Sequence, residues 1–239
     1  MGPVIGIDIG GSKIRGILWV EKKAARWRQF ATPKNIGDFR ETLVALTGWL
    51  EGRRGAPAIG IGAAGIVDRT TLLSSPNIPY IRDFEFRSLW PRSTPLRLDN
   101  DARSFGRAEH LRGAGRGAES IFALTIGTGI GRAYGKDGKI SRLKKFEHPE
   151  PWEREYQVLR DARDDAALAK FLGEKLSLLM KPSGPQRIIL GGGVMERPGL
   201  LRGLGRELAF HGLEAEVRRA RFRKNAVAIG AALLFSGRR

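Results

Sequence analysis

The chain has 239 residues, no cysteine and a formal net charge of +17, from 42 lysines and arginines against 25 acidic residues. Without cysteine, disulfides and cysteine-ligated zinc are both excluded. No run approaches the ~18 apolar residues of a membrane-spanning helix. An apolar strand starting at Val4 leaves no room for a signal peptide, so a cytoplasmic location and no membrane partner are expected. The positive charge fits either nucleic-acid binding or attraction of an anionic substrate. The densest basic run, Arg218, Arg219, Arg221, Arg223 and Lys224, holds one aromatic, Phe222, and the other basic residues are scattered. No RNA-binding signature or recognition-helix pattern accompanies them, which favours the substrate and argues against nucleic acid. Abundant arginine and absent cysteine are compatible with a thermophilic source.

In chain order, Val4–Ile9, Ile14–Val20 and Arg26–Ala31 read as three antiparallel strands. Asp38 with Glu41 predicts a capping box for a helix whose apolar face is Leu43, Leu46, Trp49 and Leu50. Ala58–Gly62 reads as a buried strand running into the loop Ala63–Asp68, and prolines mark Ser74–Thr94 as irregular. Leu96–Asp99 is a strand, Ala102–Arg112 a helix, and the glycine-rich Gly113–Gly117 a hinge. A second hairpin, Ile121–Ile126 and Ile130–Tyr134, opens the second half, and 141–155 is charged and unassigned. A long helix over Ala162–Met180, a strand over Arg187–Leu190, a helix from Pro198 to Phe210, a strand over Glu214–Arg218 and a helix over Ala226–Phe235 complete the reading. The two halves share a plan, which reads as a weak internal duplication.

The chemistry concentrates in four places. In the first hairpin, Asp8 precedes the turn Gly10, Gly11, Ser12, Lys13. Glycine turns present backbone N–H groups to phosphates. A carboxylate beside them needs a cation between, and magnesium held through water by Asp8 is the natural one. The second hairpin offers Gly127, Thr128 and Gly129 in the same way. Where a strand ends at Asp99-Asn100-Asp101, side chains point into a cleft. There Asp101 reads as a general base for a hydroxyl attacking a γ-phosphate, with a helix N-cap at Asn100 or Asp101 as the alternative. The strand ending in Gly191, Gly192 and Gly193 admits a flat ligand such as adenine. His110 and His211 have no partners that would make a metal site.

In this order the motifs resemble the ROK family of sugar kinases, within the actin and hexokinase superfamily. Val4–Trp19 is similar to the family's first phosphate motif and Leu124–Tyr134 to its second. Ile59–Asp68, with Gly65, resembles its substrate-side glycine loop. Ser75-Pro76-Asn77-Ile78-Pro79 resembles the segment before the sugar site, Asn100-Asp101-Ala102 the catalytic motif, and Leu190–Val194 the adenosine motif. The resemblance implies an α/β protein of two RNase H-like (actin-like ATPase) domains with a nucleotide and sugar cleft between them. It implies ATP and Mg2+ as cofactors, Asp101 as base, and Asn77 and Asn100 on the sugar hydroxyls. The domains expected are 1–112 with 225–239, and 113–224, hinged near Gly113–Gly117 and Asn225.

The departure from the family lies in 141–160. Members carry a Glu-x-Gly-His element and a cysteine-rich zinc motif followed by a glutamate. Here the cysteines are absent, so no zinc is expected. By the resemblance, Glu147, His148 and Glu155 stand for the two glutamates and the histidine that bind sugar, at compressed spacing. The expectation is a hexose kinase using ATP, glucose or a close relative being the substrate, with a homodimer allowed. The rivals are a sugar- or nucleic-acid-binding regulator on the same fold, and a kinase or ATPase with a non-sugar acceptor.

Overall fold

A computed structural model describes residues 2–52 and 58–236. The chain divides into two compact units, Met1–Ala108 with Lys224–Arg239, and Glu109–Arg223. The first holds β1 (Val4–Ile9), β2 (Lys13–Val20), β3 (Lys23–Ala31), α1 (Ile36–Glu51), β4 (Ala58–Ala63), β5 (Ile66–Asp68), β6 (Thr71–Ser74), β7 (Arg82–Glu85) and β8 (Leu96–Asn100). Its main sheet has the order β3-β2-β1-β4-β8. The β1–β2–β3 meander is antiparallel, whereas β4 and β8 run parallel to β1. The helix α2 (Asp101–Arg112) follows β8, and the unit boundary falls within it.

Ile5, Ile7 and Ile9 on one face of β1 and Val4 and Gly6 on the other are all buried, as a strand covered on both faces requires. Phe39, Leu43, Leu46 and Leu50 of α1 pack on one face. The other face is covered by α6 (Ala226–Ala232), where a Cβ on Gly6 or Gly60 would lie 2.0 Å from a carbonyl oxygen of Ala228 or Ala231. Only glycine lets a helix backbone lie this close to a strand backbone.

The second unit repeats the topology. β9 (Ser120–Ile126), β10 (Ile130–Lys136), β11 (Lys139–Ile140), β12 (Arg187–Gly191) and β13 (Glu216–Arg219) form a sheet of order β11-β10-β9-β12-β13. Again the first three strands form an antiparallel meander, and the last two run parallel to the first. The helices α3 (Glu153–Ala162), α4 (Asp165–Met180) and α5 (Leu200–Phe210) belong to this unit. Leu168, Leu172, Leu176, Leu204 and Leu208 join Phe122, Leu124, Ile188 and Leu190 in its core.

Several local expectations are corrected. The cap of α1 is Asn35, whose Oδ1 accepts from the Asp38 N–H at 2.9 Å, while its amide donates to Asp38 Oδ2. Asp38 is therefore inside the first turn, and the box with Glu41 does not form. Trp49 is 38% exposed, with the Arg26 and Arg28 guanidiniums over its ring, so it leaves the apolar face of α1. The proline-rich stretch contains β7, which joins β5 and β6 in a small sheet. The helix expected over Ala162–Met180 is found as α4, starting three residues later at Asp165, and a separate helix not read from the sequence, α3, precedes it. Arg163 adopts a left-handed conformation at φ 58°, and Asp164 then caps α4.

Candidate functional site

In the first unit the expected residues lie at the carboxyl ends of β1, β4 and β8, as usual for α/β sites. Asp8 is the penultimate residue of β1, opposite Arg15 on β2 and beside Gly62 on β4. The turn after it closes with Gly10 N–H donating to the Lys13 carbonyl at 3.0 Å. Thr32 straps this turn from β3's end: its N–H donates to Ser12 O at 3.0 Å and its hydroxyl to Gly10 O at 2.6 Å. The side chains of Ser12 and Lys13 are exposed.

The turn touches the Asn77 segment. A Cβ on Gly11 would fall 2.5 Å from the Asn77 Cβ and 2.7 Å from its carbonyl oxygen, whereas one on Gly10 meets nothing closer than 3.4 Å. Gly11→Ala is therefore expected to displace the turn or Asn77, costing about 1–3 kcal/mol in urea unfolding. Gly10→Ala is expected to cost less than ~1 kcal/mol. Equal costs would contradict this packing.

From Asn77 the line of contacts continues through Ser75 to Gly65, whose own Cβ would lie 2.1 Å from Ser74 O. Gly65 O accepts the Asn100 side-chain amide at 3.0 Å. Asn100 Oδ1 accepts from the N–H groups of Ala102 and Arg103 at 2.9 and 3.3 Å, so Asn100 rather than Asp101 is the N-cap of α2. That leaves Asp101 as the first helical residue, half-buried, with Oδ1 near its neighbour's N–H at 2.8 Å.

The carboxyls of this edge are held in different states. Burial raises Asp101, against hydrogen bonds from Ala102 and its own backbone and the charge of Arg103. Burial and then the charge of Asp101 push Asp8 up to about 7, with Arg15 opposing. Asp99 is also buried, which raises it, but Arg107 and Arg103 outweigh burial and keep it ionised below the usual carboxylate range. Arg103 Nε lies 2.5 Å from Asp99 Oδ1, and Arg107 pairs with Oδ2. This anchor of β8 onto α2 escaped the sequence reading, although Arg103 and Arg107, four apart on α2, share one helix face.

The raised Asp8 predicts a pH effect. The folded chain keeps this proton between about pH 4 and 7, where the unfolded chain has lost it, so Asp8 contributes instability that grows as pH rises through that window. Asp8→Asn is expected to match the wild type in denaturant stability at pH 4. By pH 8 it should exceed it by about 2–4 kcal/mol. A gap that does not change with pH would contradict the shift.

In the second unit the two glycine turns emerge side by side from β9 and β12. Gly192, at φ 94°, packs so closely on Ile126 that a Cβ would lie 2.3 Å from its carbonyl. Gly127 and Gly193 differ: a Cβ at either would meet nothing within 4 Å, and neither has positive φ. Protein packing does not require glycine there, so the open backbone fits close approach by a ligand. Thr128 and Gly129 are exposed at the tip of the first turn.

The charged segment braces this turn. Tyr156 donates its hydroxyl to Gly127 O at 2.5 Å, and Arg160 Nη1 donates to Thr128 O at 2.8 Å and Gly127 O at 3.3 Å. Burial pushes Tyr156 up to about 12. Glu153 is buried and pairs with the equally buried Arg132 of β10. It accepts from the N–H groups of Glu150 and Ile130 at 2.9 and 3.2 Å. None of these residues was singled out from sequence. Glu147 is half-buried in a single 3-10 turn, His148 is exposed with its carbonyl accepting from Arg132, and Glu155 is exposed, its charge acting on Lys175 of α4.

Among the described residues no group of three His, Asp or Glu side chains is arranged to hold a metal, and no helix is long and apolar enough to cross a membrane. A family model described as the ROK family matches residues 4–144. The glucokinase of Streptomyces coelicolor is 34% identical over 139 residues, covering 55% of this chain. The match covers 43% of that glucokinase, so the chain spans less than half the length of such curated relatives. The ROK hexokinase structure from Thermus thermophilus is 28% identical, covers 97% of both chains and superposes with a TM-score of 0.77. The inorganic polyphosphate/ATP-glucomannokinase from Arthrobacter is 27% identical with 99% of both chains covered and a TM-score of 0.80.

Proposed function

The chain belongs to the ROK family, with the actin-like ATPase fold of its solved kinases, and from that premise we propose that it is a sugar kinase. It transfers the γ-phosphoryl group of ATP to a hydroxyl of a hexose, glucose or a close relative. The observation that carries this reading is the pairing at the β1 and β8 ends. A carboxyl that burial holds above its ordinary range, Asp101, stands beside a second, Asp8, next to a strapped glycine turn. A raised carboxyl is suited to accept a hydroxyl proton near neutral pH.

In this proposal the amides of Gly10, Gly11, Gly127 and Gly129, with Ser12, Lys13 and the Thr128 hydroxyl, hold the phosphates. Gly191, Gly192 and Gly193 line the adenosine side. Asn77 and the Gly65 loop bound the sugar, with Asn100 fixing the loop through Gly65 O, and Glu147 and His148 remain the candidates for further sugar contacts. The donor set fits magnesium: a buried carboxyl, Asp8, whose proton affinity burial and the charge of Asp101 raise is relieved by a cation, and Mg2+ is commonly held by one or two carboxylates, phosphates and water. Bound there, it would neutralise charge developing on the transferred phosphoryl group. Asp101 takes the proton as the sugar oxygen attacks in line, and the bridging oxygen leaves with ADP.

Inorganic polyphosphate is a second donor, favoured by the net charge of +17 and by the likeness to the polyphosphate/ATP-glucomannokinase. The deciding experiment is coupled ADP release with ATP and magnesium across glucose, mannose, fructose, N-acetylglucosamine and N-acetylmannosamine, with a sugar-free control. It is repeated with polyphosphate as donor and sugar phosphate as readout. Release that needs one or a few sugars is expected. Release independent of sugar makes the chain an ATPase or a kinase for another acceptor, and no transfer from either donor removes the enzymatic reading.

A further inference from the structure

The chain passes between its two units twice, between Ala108 and Glu109 and between Arg223 and Lys224. One side chain fastens the polypeptide next to both crossings. Glu109 is fully buried. Its Oε2 accepts from the N–H of Ala114 at 2.8 Å and of Arg221 at 3.1 Å, and its Oε1 accepts from the N–H of Phe222 at 2.9 Å. Its main-chain carbonyl accepts from Gly113 and Gly115 at 3.1 and 2.9 Å.

The glycines that read as a hinge in the sequence are therefore wrapped around this residue. A Cβ on Gly113 would lie 2.1 Å from Glu109 Oε2. Arg116 and Ala118 N–H groups close further turns onto Gly113 and Gly115. Glycine is required here by packing, and the segment is internally bonded. The second crossing contrasts with it: Arg223 is exposed and sits at φ 46°, a left-handed conformation that costs a non-glycine residue about 1–2 kcal/mol.

We propose that Glu109 is a positioning residue that pins the outgoing and returning connections together on the Glu109–Arg223 side. The two connections then move as one joint, and the segment 113–117 is part of it and not the place where the chain bends. The pin is independent of the substrate and donor, so the assay above and the tests below fail separately.

The first test uses the unaltered full chain. Native-state hydrogen exchange of the amides of Ala114, Arg221 and Phe222 is expected to report one shared opening, with protection agreeing within about threefold and the same denaturant dependence. A spread above about tenfold overturns the proposal. The second test uses Glu109→Gln, which keeps the size but turns an amide N–H towards backbone donors. Protection of those three amides is expected to fall about tenfold or more, with β9 and β12 unchanged. Because the chain lacks cysteine, Arg92→Cys and Leu178→Cys at exposed sites of the two units allow a dye pair to be attached. Glu109→Gln is expected to broaden the dye-to-dye distance distribution, which loss of a purely local contact would not do. An unchanged width overturns the proposal, and if this variant does not fold, the exchange pattern of the unaltered chain decides alone.

Discussion

Asp101→Ala is expected to lower phosphoryl transfer by about 10²–10⁴-fold while changing ATP affinity by less than ~threefold. The reason lies in what Asp101 does not do. The cap of α2 is Asn100, so removing the Asp101 carboxyl leaves the helix start intact. The loss of a negative charge in the first turn costs about 0.3–1 kcal/mol of dipole interaction. Against this, removing its charge lets Asp8 ionise more readily, which stabilises the folded chain above pH 7. Thermal unfolding of the variant should therefore lie close to that of the wild type, and lost turnover cannot be assigned to lost fold. Single-turnover transfer with nucleotide binding by calorimetry separates the two quantities. Retention of more than about a tenth of the activity would remove Asp101 as the base.

Glu153→Ala is expected to cost about 3–5 kcal/mol, a large share of the stability of a typical domain. It leaves Arg132 buried without its partner and strips the acceptor from two backbone N–H groups. Urea unfolding followed by a probe in the Glu109–Arg223 unit reads this directly. The double variant Arg132→Met with Glu153→Gln is expected to recover more than half of the loss, because the uncompensated charge is gone and one acceptor remains. A double variant as unstable as Glu153→Ala would show that the charge pair is not the source. If the nucleotide is held as proposed, Glu153→Ala should also raise the KM for ATP more than that for the sugar, since Glu153 bonds Ile130 at the end of the second glycine turn.

Strand and helix periodicity made most of the first unit legible. β1, β2, β4 and β8 fall close to where alternating or continuous apolar runs place them, and the glycine turns stand out by composition. What stayed hidden depends on side chains choosing between near-equal neighbours. Asn35 and Asp38 are both good caps, and only the path of the backbone decides that Asn35 is the one. Between Asn100 and Asp101 the choice was open for the same reason. In 141–160 the sequence offers Glu147, Glu150, Glu153 and Glu155 within nine residues. Which of them turns inward depends on the helical phase of α3 and on a buried arginine in β10, fixed only by tertiary contact. Arg132 lies at an apolar-type position of its strand, and that is the one local sign that a buried acid had to answer it. The separate helix α3 stayed unread, and it ends at Arg163, an ordinary residue in a left-handed turn that no glycine announces.

The close seat of α6 against β1 and β4 bears on how the chain is made. A ribosome delivers the strands of the first sheet at the start of synthesis, but the helix that seals their second face arrives after residue 225. The continuous stretch 109–223 can collapse as soon as it clears the exit tunnel, while the earlier-made sheet waits with a bare glycine-floored face. A nascent chain halted before Ala226 should therefore bind chaperones or aggregate through its oldest part, and acquire protease resistance there last.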